Sequence, residues 1–322
     1  MFYLDLAMRL KRTLILPRSR LLRRIGRGSQ FSPDADYLAW GELFNMSVLS
    51  RVHPVMELEQ YLKLQGGHVD LHVRISHAGC EPIDGPISIA FNGLAAGGGG
   101  DTASVRAARS ICANGLQYNQ RALTGSDYAS LNAVAFSDSV DQLGPAQALP
   151  LRAYVRFEQR IYNAAANFVA EAFGGEPFIA FHWRRTDFLY VRAARPGVLQ
   201  SADELVRHAH ALMQRHHIKH VYLSTDSTDS AELAHVQKAL PSVARYQPMA
   251  SKSAAPGGSL RERAEVANIE IAICAMAAHF RGTQTSSFSL AISEERVAVF
   301  GHAQESGGEM AHAPPGGDKD EL

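Results

Sequence analysis

The sequence is short of several things that would have set its class at once. It holds three cysteines in 322 residues, too few for the count alone to decide anything. Cys80 and Cys112 are free to pair, and Cys274 lies in an apolar run where burial is expected. Net charge is also missing, because Lys+Arg and Asp+Glu both number 32. Without an overall positive field there is nothing to hold a polyanion, so nucleic-acid binding is a poor reading. The basic stretch from Arg9 to Arg27 is a local exception and reads as a solvated loop ahead of a polyanion or membrane patch. No run of about 18 apolar residues exists, so no membrane-spanning helix is expected. The start, "MFYLDLAMRLKRTL", is broken by Asp5, Arg9, Lys11 and Arg12 and offers no secretory core. G-x-G-x-x-G, a Walker A loop, G-x-S-x-G and C-x-x-C are all absent, which removes the best sequence evidence for dinucleotide binding, ATP hydrolysis and serine esterase chemistry.

What is there begins at the far end. The last four residues, Lys319, Asp320, Glu321 and Leu322, spell the K-D-E-L retrieval address of the endoplasmic reticulum. The Gly/Pro-rich segment ahead of it is too polar to pack, so a disordered tail over 303–322 would leave the address free for the KDEL receptor. The expected location is the lumen of the endoplasmic reticulum, which the sequon Asn45-Met46-Ser47 and the sparse cysteines also suit; Asn45 is the expected glycosylation site. A retrieval address without an entry signal leads to the expectation that an N-terminal piece is missing from the chain as given.

With 46% hydrophobic and 20% charged residues the chain can bury a full core in one large or two modest domains. Its second half alternates apolar runs with helical periods. "FIAF" is followed by a helix over "SADELVRHAHALMQRHHI", with Leu205, Ala209, Leu212 and Met213 at helical spacing. Strand "HVYLSTD" and helix "DSAELAHVQKAL" come next, the latter opening with Asp229 three residues before Glu232 in capping-box style. A weaker strand near "VARYQPM", the helix "RERAEVANIEIAICAMAA", the strand "HFRGTQ", the helix "FSLAISEER" and a last strand "VAVF" complete the pattern. Such β-α-β-α order predicts a parallel, doubly wound α/β sheet over 175–302. The first domain, 1–174, reads as a strand at "RTLILP", a helix at "VMELEQYLKL", a flexible insertion over about 85–130 containing Gly97 to Gly100, and a long helix "RAYVRFEQRIYNAAANFVAEAF".

Ligands of open parallel sheets sit beyond the carboxyl ends of the strands. Three polar clusters occupy that position: "HWRRTDF" (182–188), "STDS" (224–227) and "TQTSSFS" (283–289). The last opens a helix, where backbone N–H groups and the hydroxyls of Ser286 and Ser287 would favour phosphate. Arg184 could fork onto phosphate oxygens, so the three together read as a diphosphate site. Taken singly each has a plainer reading. Arg184, Arg185 and Asp187 could be a structural ion pair, "TSSFS" an ordinary helix cap, and Asp226 a turn; the coincidence at three strand ends favours the site. Glu270, inside "NIEIAICAMAA", needs a partner, either the paired N–H donors of a guanine ring or a salt bridge to Arg281 or Arg263. His208, His210, His216, His217 and His220 do not fall on one helical face, which disfavours a metal site.

"FIAFHWRRTDF", "HVYLSTDS" and "HFRGTQTSSFS", in that order, resemble the GDP-fucose protein O-fucosyltransferases, and "RLKRTLILP" and "VHPVMELEQYL" resemble that family's first-domain segments. "HWRRTD" is also close to the α1,6-fucosyltransferase version. The resemblance implies a GT-B fold, two Rossmann-like domains with parallel sheets, the second holding GDP-fucose, and inverting transfer of fucose without a metal or other cofactor to Ser or Thr hydroxyls of a small disulfide-rich protein domain. It assigns His182 and Arg184 to the family's H-x-R, with Arg184 on the diphosphate as the catalytic cation. Ser286, Ser287 and Phe288 match the "SSF" around the nucleotide, and Glu270 stands where an Asp usually meets guanine. Arg185, Asp187 and Asp226 are further candidates. The family's Gly-rich "GRFGNQ"-like loop is not found, so the first domain is expected to be incomplete. Two rival readings stay open: a donor-binding protein without turnover, and a fucosyltransferase acting on glycans.

Overall fold

The computed structural model describes residues 4, 7–8, 11–16, 19–20, 23–25, 28–30, 37–65, 68–76, 87–90, 104–114, 134–137, 150–191, 198–247 and 259–302, with backbone alone inside 19–37 and 72–137 and at 191 and 260. Cys80, the Gly97 to Gly100 run and the 303–322 tail lie outside the described residues, as do the side chain of Cys112 and part of the Arg9 to Arg27 stretch. The chain divides into two compact units, one of Met1–Leu21 with Phe31–Arg156, the other of Leu22–Gln30 with Phe157–Leu322. The division falls at 156/157 and not at the expected 174/175, because the helix at 159–173 packs with the second unit.

In the first unit β1 (Leu14–Leu16) pairs in parallel with β6 (Val55–Glu57), whose last residue leads directly into helix α2 (Leu58–Gln65). "VME" therefore belongs to a strand and not to the expected helix. Helix α1 (Met46–Ser50) starts at Asn45, whose Oδ1 accepts the Val48 N–H at 3.1 Å and the Ser47 hydroxyl at 2.6 Å. Leu4, Leu16 and Leu49 form a small core with Trp40, Met46, Val55, Leu151 and Val155 around it. A second sheet holds β7 (His68–Ser76), β8 (Ile87–Ala90), β9 (Ser104–Asn114) and β10 (Val134–Ser137) in the order β10-β7-β9-β8, parallel except for β8. Both β8 and β9 lie inside the stretch expected to be a flexible insertion. Ala and Ser carry little strand signal of their own, and pairing on both edges of β9 overrides that weak propensity. Short ribbons at β2 (Ser19–Arg20) with β5 (Tyr37–Leu38), and β3 (Arg23–Ile25) with β4 (Gly28–Gln30), complete the strands before residue 150.

The second unit follows the doubly wound pattern. Helix α3 (Gln159–Phe173) ends at Gly174, which takes the left-handed conformation (φ 62°) that closes a helix cheaply only for glycine. The chain then runs β11 (Phe178–Trp183), α4 (Phe188–Val191), α5 (Ala202–His216), β12 (His220–Thr225), α6 (Ser230–Ala239), β13 (Val243–Ala244), α7 (Leu260–Met276), β14 (His279–Arg281) and α8 (Ser287–Ala298). The sheet order is β13-β12-β11-β14, all parallel. Every residue of β11 is buried, as a central strand covered on both faces requires. Ile179, Phe181 and Trp183 pack in one cluster with Leu205 and Ala209 of α5, Val236 of α6 and Leu240 just after it. Phe178 points the other way, stacked 4.6 Å from Phe173 of α3.

Two expected elements differ. The long helix before β11 starts only at Gln159, and "VAVF" forms no strand, since α8 runs through Ala298 before its closing turn. A four-residue apolar run cannot be told from a helix end by periodicity. Arg296 of α8, 4% exposed, donates from Nη1 to the carbonyls of Cys274 (3.2 Å) and Ala277 and from Nη2 to that of Ala278 (3.2 Å), satisfying the last turn of α7. Cys274 is buried, as expected.

Candidate functional site at the strand ends of the second unit

Parallel register sets the site. His182 and Trp183 lie beside Ser224 and Thr225 of β12, and Phe181 beside Arg281 of β14, so all three polar clusters leave the sheet at the same edge. Cross-links then fix them. Thr283 Oγ1 donates to the His182 carbonyl (2.8 Å) and accepts the Arg184 N–H (2.9 Å). Thr225 Oγ1 donates to the Trp183 carbonyl at 2.6 Å. The ring of Phe288 sits 4.7 Å from that of His182.

Period-two alternation decides which arginine belongs to the site. Trp183 faces α5 and α6, and Arg185, two residues on, follows it: its guanidinium lies 4.9 Å over the Trp183 ring and forks onto Glu232 of α6, with Nε to Oε2 at 3.1 Å and Nη2 on Oε1. Arg185 is thus a structural ion pair and leaves the candidate site. That pairing also explains why Glu232 does not complete a capping box, although Asp229 does accept the Ala231 and Glu232 N–H groups at 2.9 and 3.1 Å. Arg184 takes the other side. Its Nε donates to Asp187 at 2.8 Å and its Nη1 lies 3.2 Å from Asp226, which holds the planar cation by two edges. Asp226 also accepts the Arg185 N–H (2.7 Å) and the Thr186 hydroxyl, so it is the brace of the whole turn.

His182 is 5% exposed. Burial, and then the neighbouring Arg184 guanidinium, pull its imidazole down to about 4, so the ring is neutral near pH 7. Glu270 lies on α7 below the end of β12, with the Tyr222 hydroxyl 3.3 Å from Oε1 and Ser224 also bonded to it. Burial raises its carboxyl to about 7 against these two hydrogen bonds and the Arg245 charge. Neither Arg263 nor Arg281 is its partner. Asp226 acts electrostatically on both Glu270 and His182, in each case as the smallest of the causes.

Ser286 is the N-cap of α8, buried, its Oγ accepting the Ser289 N–H at 3.5 Å; Ser287 at the first helical position is exposed. Ser286 therefore shapes the helix start, while Ser287 is exposed beside it. Thr285 precedes them at φ 59°, a left-handed conformation a β-branched residue adopts only under local constraint. Sequence reading missed Thr283, Ser289 and Gly282. A Cβ on Gly282 would stand 2.6 Å from Ser289 Oγ, so only glycine lets the strand end approach α8. Thr283 and Ser289 lie inside the 283–289 cluster without an assigned role, and Gly282 stands just before it. The five histidines scatter: His208 meets Gln200, His216 stacks on His279 at 3.6 Å and His220 pairs with Glu176. Among the described residues no three His, Cys, Asp or Glu side chains converge as a metal site would require.

The crystal structure of POFUT1 in complex with GDP-fucose aligns over 92% of this chain and 89% of that one with a TM-score of 0.64 at 15% identity. Its apo form aligns over 91% and 88% with a TM-score of 0.63. At that identity the likeness establishes the fold, which is α/β of the GT-B type. Human GDP-fucose protein O-fucosyltransferase 2 is 34% identical over 128 residues, 40% of this chain, and the Caenorhabditis elegans protein of the same name is 29% identical over 125 residues, 39% of this chain. The matched stretches span 28% and 27% of those relatives' own lengths. A model of the family matches residues 3–299, nearly the whole chain, strand ends included, and the chain therefore belongs to the GDP-fucose protein O-fucosyltransferase family.

Proposed function

We propose that this protein transfers fucose from GDP-fucose to Ser or Thr hydroxyls of a small, disulfide-rich folded domain, with inversion at the sugar. Family membership supports the reaction class, and the observation that carries it is the meeting of Arg184, neutral His182 and the start of α8 at one sheet edge. In such a transfer the bond from the anomeric carbon to the β-phosphate oxygen breaks while the acceptor oxygen forms its bond from the opposite face and loses its proton. Negative charge grows on the departing diphosphate. A planar cation already held in place by Asp187 and Asp226 meets that charge without reorganising, which is where such groups lower a barrier most. Glu270 would accept the paired N–H donors of the guanine. Removing one such stabilising group costs about 10²- to 10³-fold in turnover. Arg184→Ala is therefore expected to cut GDP-fucose turnover by about that factor, and turnover within a few-fold of wild type would overturn the assignment. GDP should compete with the donor and UDP should not.

One feature favours a second reading, donor binding without turnover. Arg184 is already shared by two carboxylates, so part of its charge is offset before any diphosphate arrives. Calorimetric GDP binding with neither transfer nor donor hydrolysis would select this reading.

Lumenal residence in the endoplasmic reticulum, with the KDEL receptor as partner and a sugar on Asn45, completes the proposal. Lys319 to Leu322 and the sequon support it. Deleting the last four residues should send the protein to the medium, and unchanged retention would refute the address.

A further inference from the structure

Ser289 is 0% exposed, and its single hydroxyl serves two groups. Thr283 N–H donates to Oγ at 3.0 Å, and His182 Nδ1 lies 2.7 Å from the same oxygen. A hydroxyl has one proton to give. If Nδ1 carried a proton, Oγ would accept from both neighbours and its own proton would be sealed in with no acceptor among the described residues. The arrangement that satisfies every atom has Ser289 O–H donating to an unprotonated Nδ1, which leaves the proton of the neutral ring on Nε2. Nε2 has no hydrogen bond among the described residues, yet it is not a sealed atom, so the small exposed edge of His182 includes it.

We infer that Ser289 is a positioning residue that holds His182 in its Nε2–H tautomer, so that the ring offers a proton and not a lone pair to the oxygen-rich ligand of the crevice. The surroundings are built for this. Thr283 pins the backbone of His182 and Arg184 through its side chain, and glycine at 282 leaves the space Ser289 occupies. The opposite tautomer would aim a lone pair at phosphate oxygens, which repel it. The tautomer itself follows from this geometry alone; its use in donor binding rests on the proposed function.

The test is a long-range proton–nitrogen NMR spectrum of the full chain labelled with ¹⁵N-histidine, at pH 7, with the His182 signals assigned by their loss in His182→Gln. Wild type is expected to show Nδ1 as an acceptor and Nε2 protonated, whereas Ser289→Ala should raise the Nδ1–H population. GDP affinity should fall about tenfold in Ser289→Ala, the loss expected for weakening one hydrogen bond to a charged group, and less in Ser289→Cys, which keeps a weak donor. A wild-type ring protonated on Nδ1, or an unchanged tautomer in a folded Ser289→Ala protein, overturns the inference. If Ser289→Ala does not fold, the wild-type spectrum decides alone. Failure of the wild-type protein to bind GDP would count against the proposed function and leave the tautomer result standing.

Discussion

Replacing Glu270 by glutamine should make the protein progressively more stable than wild type as pH rises from 4 to 8. The folded carboxyl titrates at about 7 against an ordinary 4.5, so between those values the folded protein keeps a proton that the unfolded chain has released. Wild-type stability therefore falls with rising pH across that window and levels off beyond it. At 1.36 kcal/mol per pH unit, titrating at about 7 in place of 4.5 amounts to about 3 kcal/mol. Burial sets the sign, because the Tyr222 and Ser224 hydrogen bonds and the Arg245 charge all favour the ionised form and are outweighed. Glutamine carries no charge at any pH and should show none of this dependence. Urea unfolding followed by circular dichroism at pH 4, 5, 6, 7 and 8 reads the gap between the two proteins, and all other titrating groups cancel in the difference. A gap that stays constant across the series refutes the reasoning. A linked effect on binding follows if GDP is the ligand: wild-type affinity should rise through pH 7 as the fork becomes free to accept two N–H bonds, and the glutamine variant should not follow.

Other expectations are simpler. Arg184→Lys should lose most of the donor affinity that Arg184→Ala loses, because an ammonium cannot keep two carboxylates and fork onto a phosphate as well; calorimetry with GDP checks it. Glu232→Ala should strip the partly buried Arg185 of its fork and lower stability by about 2 kcal/mol, below the full cost of a sealed pair, while leaving GDP affinity of the folded protein intact. Gly282→Ala should cost about 1 to 3 kcal/mol by overpacking against Ser289, seen as a lower urea midpoint. Phe181→Ala, in the centre of the sheet, should cost about 3 to 5 kcal/mol.

The second unit was readable because its central strands β11 and β12 are buried and its helices α3 and α5 are strongly amphipathic, so the two periods alternate. Ser201 with Glu204 and Ser259 with Glu262 close reciprocal caps at the starts of α5 and α7, which is local chemistry visible in any sequence. The site's three loops were readable for a topological reason, since strand ends are where such sheets bind. What the residues alone did not disclose was side. Arg185 stayed a further candidate beside Arg184, and it is the strand's alternation, continued past its last residue, that sends Arg185 to Glu232 and Arg184 to Asp187 and Asp226. The same limit hid β8 and β9, where pairing and not residue preference makes the strand. Ser289 stayed invisible because its importance lies in a contact with His182, 107 positions away.

Arg296 ties the rear of the helix carrying Glu270 to the helix whose front carries Ser286 and Ser287. Those two helices are consequently one lever: a tilt at either end is transmitted to the other through four shared oxygen contacts. Under the proposed function, a defect at that remote guanidinium would blur recognition of a nucleobase and of its phosphates together, with no ligand-facing atom altered.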